Sequence, residues 1–223
     1  MKKITYLLLP LFFLISSPGQ AEDKPTVTPT GFLSDYTRLI PDETAKDNYF
    51  HYTAPEDLSR KLGKIYFLPV ATFPIDATFK LVDRPTIDQT MAALDQILRK
   101  KITDKATLVA TPEEADTTIQ IVVTAITTED ASRSLIDFVP LRLLTKPLKD
   151  AAMGKEQEVV VTLEMSIRDA KTNQILFEAV HRSAGKNIGR ADDADLKATE
   201  KDLSPVIDIW TNKIVREIIT PKL

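Results

Sequence analysis

Oily residues recur along this chain at two spacings, and the spacing assigns the elements. Between residues 86 and 103 the apolar positions are Ile87, Met91, Leu94, Leu98 and Ile102, in steps of four, three, four and four. That is one stripe of an α-helix whose other face is polar. Asp88 is placed in the first turn and residues 99–101 in the last, where their charges suit the helix dipole. Leu203, Ile207, Trp210, Ile214 and Ile218 repeat the same steps, so a second amphipathic helix is expected over 203–220. Pro205 suits its first turn, with Asp202 or Ser204 as cap. Trp210, the single tryptophan, falls mid-stripe and reads as core.

Elsewhere the period is two. "KIYFLPVA" (64–71) and "ATLVA" (106–110) read as short strands. In "TTIQIVVTAIT" (117–127), Ile119, Ile121, Val123 and Ala125 alternate with polar residues, while Val122 and Ile126 interrupt the polar side. Both faces of that strand are therefore expected to be partly covered. The strongest pattern is 158–185, where Val159, Val161, Leu163, Met165 and Ile167 share one face and Ile175, Phe177 and Ala179 resume it after "DAKTN". A hairpin that keeps these sets together pairs Ile167 with Phe177 and Met165 with Ala179, because a one-residue slip would expose one set. Arg168 then lies diagonal to Glu178 on the other face. The predicted fold class is α+β: a mixed, mainly antiparallel sheet with two amphipathic helices packed on one face.

Prolines 25, 29, 41 and 55 exclude long helices from residues 22–62, which read as an N-terminal arm wrapped on the domain. Phe32, Tyr36 and Leu39 are spaced for one or two helical turns, and Tyr49, Phe50 and Tyr52 form a second aromatic island. Residues 63–223 form a single domain with an insert at 128–155. Within that insert, residues 132–154 carry Phe138, Leu141 and Leu144 beside Arg133, Arg142, Lys146 and Lys149. Pro140 and Pro147 forbid one continuous helix there. An excursion covering the sheet is expected, with an exposed apolar–basic surface for a membrane or another subunit as the alternative.

Composition changes the picture in three ways. Lys2 and Lys3, the apolar run 6–15 and the small residues ending at Ala21 follow the three-part pattern of a secretory signal peptide over 1–21. The apolar run is about ten residues, against the roughly 20 a spanning helix needs. Periplasm or cell envelope is the expected location. Second, the chain has no cysteine, which excludes disulfides, thiol nucleophiles and a cysteine-linked lipid anchor. Third, without Lys2 and Lys3 the 29 basic residues become 27 against 32 acidic, a net charge of −5. The charges are interspersed, so nucleic acid is not expected as a partner.

Candidate chemistry is thin. His51 and His181 are the only histidines. Ser34 with Asp35, or Ser183, would complete a triad, but there is no G-x-S-x-G elbow. In the hairpin register His181 faces Leu163 on the core side. "DDADLKATE" (192–200) has acidic spacing, yet counting from Asp193 places Lys197 fifth and Ala198 sixth, where a calcium loop needs an oxygen ligand and a glycine. Glu113 and Glu114 sit in a polar turn. No metal, cofactor or catalytic residue is assigned.

The stretch "TGFLSDYTRL" (30–39) resembles an early signature of an uncharacterised bacterial envelope family, domain of unknown function 3313. "KIYFLPV", "AITTEDAS" with "FVPL", and "VVVTLEMSIRDAKTNQILFEAVHRSAG" continue the similarity. The last resembles the family's E-x-x-x-x-D-x-x-T-G-x-x-L hairpin, with Asn173 where glycine is common. Asparagine is the next best residue for a left-handed turn position. Many members resemble lipoproteins, from which this cysteine-free chain departs. The resemblance implies an envelope protein, no established reaction and no transferable site residue. The expected function is that of a non-enzymatic accessory or binding protein meeting an envelope partner or a second copy of itself. The candidate interaction surface is Phe32, Leu33, Asp35, Tyr36, Phe138, Leu141, Arg142 and Leu144. Peripheral membrane binding through 132–154 is the alternative, and a hydrolase working around His181 or His51 is the third reading.

Overall fold

The computed structural model describes residues 27–42, 48–55, 62–75, 77–131, 155–190, 193 and 196–219, the last three as helix backbone only. Residues 1–26, with the expected signal peptide, and the segment carrying Phe138, Leu141, Arg142 and Leu144 lie outside the described residues. In chain order the elements are β1 (Ile40–Pro41), β2 (Asn48–Thr53), β3 (Lys64–Phe67), β4 (Ala71–Thr72), α1 (Arg84–Thr103), β5 (Thr107–Leu108), β6 (Thr117–Asp130), β7 (Glu156–Asp169), β8 (Ile175–Arg190) and α2 (Glu200–Ile219). The strands form one sheet in the order β1-β2-β8-β7-β6-β3-β5, with β4 also paired to β6. Among the described strands, β3 with β5, and β3 and β4 with β6, are the parallel pairs. The fold is α+β with a mixed, mainly antiparallel sheet, as the hydrophobic periods predict.

The β7–β8 hairpin keeps the expected register, with Ile167 opposite Phe177, Met165 opposite Ala179 and Leu163 opposite His181. Its turn is built by Asp169, whose Oδ1 accepts the backbone N–H groups of Lys171 and Thr172 at 2.9 and 2.8 Å. The bonds from Thr172, and then that from Lys171, hold the Asp169 carboxyl below its ordinary pKa. Asn173 takes φ +59°, the left-handed conformation anticipated for it. The aromatic island of the N-terminal arm is β2 and pairs with β8.

A bulge in β6 resolves the broken alternation there. The register to β7 shifts between Val123 and Ala125, so Ile126 returns to the face of Ile119, Ile121 and Val123. Ile126 is 7% exposed in the common core. Val122, which the bulge does not move, is buried on the opposite face.

Helix α1 begins at Arg84, two residues earlier than expected. Asp83 is its N-cap and accepts the Thr86 N–H at 2.8 Å. Asp88 is therefore outside the first turn and pairs with Arg84 four residues back. Ile87, Met91, Leu94, Leu98 and Ile102 are all buried. Helix α2 begins at Glu200, so Pro205 is inside the helix rather than in its first turn. Asp202 does serve the N-terminus, from within: its Oδ2 accepts Thr199 N–H at 3.0 Å and Thr199 Oγ1 at 2.6 Å. Gly185 lets β8 approach this turn, since a Cβ there would stand 2.5 Å from the Asp202 carbonyl oxygen. Both helices lie on the face of Val161, Leu163 and Met165, and Trp210, 1% exposed, is buried among them.

Candidate functional site

Alternation along β7 and β8 sends Glu164, Ser166, Glu178, Val180 and Arg182 to the face that the helices leave. Glu164 and Glu178 are both fully buried. A buried carboxylate without partners is very costly, so something must supply donors. Residues 27–39 supply them.

Gly31, at φ +95°, lets the chain turn between Thr30 and Leu33. Leu33 is buried, and Phe32 rests edge-on against Phe73 with ring centroids 5.5 Å apart. Thr30 Oγ1 donates to Glu164 Oε1 at 2.7 Å, and Tyr36 Oη donates to Glu164 Oε2 at 2.6 Å. The same phenolic oxygen accepts the N–H groups of Thr30 and Leu33 at 3.2 and 3.1 Å, which fixes the loop around the tyrosine. Two residues on, Arg38 Nη2 donates to Glu178 Oε2 at 2.6 Å while its guanidinium lies 4.1 Å above the Tyr52 ring. Arg168 Nη2 stands 3.9 Å from the other oxygen of Glu178, the diagonal pair the hairpin register implies. Burial raises the pKa of Glu164; the hydroxyls of Tyr36, Thr30 and Thr124 oppose that rise, and the Glu178 carboxylate adds to it. Burial and then the Glu164 contact raise the Tyr36 phenol.

Of the sequence candidates among the described residues, Tyr36 bonds to Glu164 of the protein's own sheet, Leu33 is buried, Phe32 is half-buried and Asp35 is exposed. Asp35 Oδ1 accepts the Thr37 hydroxyl and N–H at 2.6 and 2.9 Å, which lowers its pKa. The sequence reading missed Glu164, Thr30, Arg38 and Arg182. Its available signal was the first glutamate of the hairpin motif: that residue is Glu164, and it meets the tyrosine of "GFLSDY". The two stretches that carry the family resemblance therefore touch in space.

The histidines lie on the helix face. His181, 3% exposed, shares a 3.1 Å hydrogen bond between Nε2 and Ser183 Oγ, and the same oxygen accepts Trp210 Nε1–H at 3.0 Å. Tyr49 stands between the rings, stacked on His51 and edge-on to His181. Ser183 is 1% exposed, and Ser34 is on the other face beside Glu178, so the serines and histidines do not form one open site. Among the described residues no group of three His, Asp or Glu is placed to hold a metal ion. Asp193 instead closes a turn, accepting Arg190 N–H at 2.7 Å.

Solved structures with related arrangements include the PelC dodecamer from Paraburkholderia phytofirmans, 10% identical over 78% of this chain and 98% of that one, with a TM-score of 0.40. The hypothetical protein CT253 from Chlamydia trachomatis is 9% identical over 70% and 97%, with a TM-score of 0.41. Lipoprotein GNA1162 from Neisseria meningitidis is 11% identical over 70% and 97%, with a TM-score of 0.31. No curated protein matches the sequence. A family model does match, across residues 28–214, from the arm that covers Glu164 to the last turns of α2: the chain belongs to the protein family of unknown function DUF3313.

Proposed function

We propose that this protein is an exported cell-envelope component that works by contacting other proteins rather than by catalysis. One observation carries the reading: its chemistry-bearing groups are engaged with one another. His181 and Ser183 bond within the core beneath Trp210, and both buried glutamates take donors from the protein's own N-terminal segment. General acid–base work needs such a group within reach of a substrate. The three-part pattern of residues 1–21 supports export. No helix among the described residues is long and apolar enough to cross a membrane.

The test is a photo-crosslinking side chain at the exposed Asp35 position in living cells, followed by fractionation. A discrete protein adduct in the envelope fraction is the expected result. A phospholipid adduct alone favours the peripheral-membrane reading. Loss of a cellular phenotype on His181→Gln, with folding intact, would return attention to hydrolysis.

A further inference from the structure

Beside the two buried glutamates, on the same face of the sheet, lies a partly open cavity of about 240 Å³. Strands β6, β7 and β8 form its floor through Thr124, Ala125, Thr162 and Val180, while Phe50 and Phe73 form walls and residues 27–30 form the lip. The lining is mostly apolar. Among the described residues that line it, Arg182 is the only ionisable one. Its guanidinium pairs with Glu129, which is not part of the lining.

We propose that this cavity binds a small amphiphilic monocarboxylate, with the apolar body against Phe50, Phe73 and Val180 and the carboxylate on Arg182. An apolar hollow with a few placed polar groups is the usual form of a small-molecule site. A single cation facing such a hollow selects an anionic head. The planar guanidinium has five donors in a fork that matches a carboxylate, so it can serve Glu129 and a ligand together. Burial depresses the Arg182 pKa, a desolvation cost that a second anion offsets. Size narrows the class further. At about 240 Å³ the cavity is smaller than the roughly 300–1,000 Å³ of sites for drug-sized molecules, which suits a small ligand. Because residues 27–30 form the lip and Thr30 also holds Glu164, a bound ligand also ties the N-terminal segment down.

The protein as purified from cells is titrated, by calorimetry and amide chemical shifts, with octanoate, 3-phenylpropanoate, octanol and acetate. Octanoate or phenylpropanoate is expected to bind at least tenfold more tightly than octanol, with shifts at Phe50, Thr124 and Val180. Which acid binds better tells an aliphatic from an aromatic body. Acetate, a head without a body, is expected to give no shift. Ala125→Leu, which fills the floor, is expected to weaken every ligand at least tenfold. In the paired variant Arg182→Gln with Glu129→Gln, which removes both members of that ion pair, octanoate and octanol are expected to bind equally. Equal binding of octanoate and octanol to the unmodified protein, unchanged binding after Ala125→Leu, or no shift at millimolar acid would each overturn the proposal.

Discussion

Trp210 and Glu164 lie on opposite faces of the same long strands, both almost sealed from water. Around Trp210 the seal is two helices, and the buried neighbours are Ile87, Met91, Val161, Leu203 and Ile207. Around Glu164 it is a short segment whose hold is directional: a phenol, a threonine hydroxyl and, at Glu178, a guanidinium. Apolar burial is non-directional and scales with area, so the helix face tolerates repacking. A buried carboxylate tolerates no loss of its donors, because the charge stays behind when a partner is removed. One sheet is thus closed by quantity on one side and by geometry on the other.

The largest expected effect breaks the helix side. Trp210→Ala should lower unfolding stability by about 3–5 kcal/mol in urea titration, through the cavity it leaves. Trp210→Phe should recover most of that if area is what matters. On the other face, Arg38→Ala leaves the buried Glu178 without its close guanidinium, with Ser34 Oγ at 3.5 Å and Arg168 at 3.9 Å as the remaining donors, at a cost of about 3 kcal/mol. Adding Glu178→Gln should restore much of the loss, and a double-mutant cycle measures the coupling. If Arg38→Ala alone is neutral, the arm face is not held by charge. Tyr36→Phe removes one hydroxyl donor at a cost of about 1–3 kcal/mol. Hydrogen exchange should show it loosening residues 27–39 more than the helices.

Acidity sharpens the contrast. Burial raises the folded pKa of Glu164 above its ordinary 4.5, so the folded state holds that proton more tightly than the unfolded one. This group's contribution is therefore most favourable below pH 4.5 and is lost as pH rises through the folded pKa. Glu164→Gln should gain stability relative to the parent protein as pH rises above 4.5, read as melting temperature against pH. A parallel pair of curves would rule out Glu164 as the source. The mildest change is in the hairpin turn, where Asn173→Ala should cost about 1 kcal/mol through its left-handed backbone and Asn173→Gly almost nothing.

Period-two and helical spacing settled a good deal by themselves: both helices, the α+β class, the hairpin register and the place of Trp210. A one-residue slip or a rotated helix would put oil in water, so those patterns admit one arrangement. They did not extend to the N-termini of the helices. Asp83 and Thr199 are as polar as their neighbours, and only the hydrogen bonds they make or receive mark the start.

The arm face was not legible, for a related reason. A glutamate between Leu163 and Met165 has the pattern of a solvent-facing residue in any strand. Whether it meets water or a tyrosine from 128 positions away depends on a contact that no local spacing encodes. The β6 bulge belongs to the same class, since the shift at Val123 and Ala125 appears only once β7 is paired alongside. Local periodicity determined where this protein is oily; tertiary packing alone decided which of its charges are dry, because burial is set by what lies on top of a residue and not by what stands beside it in the chain.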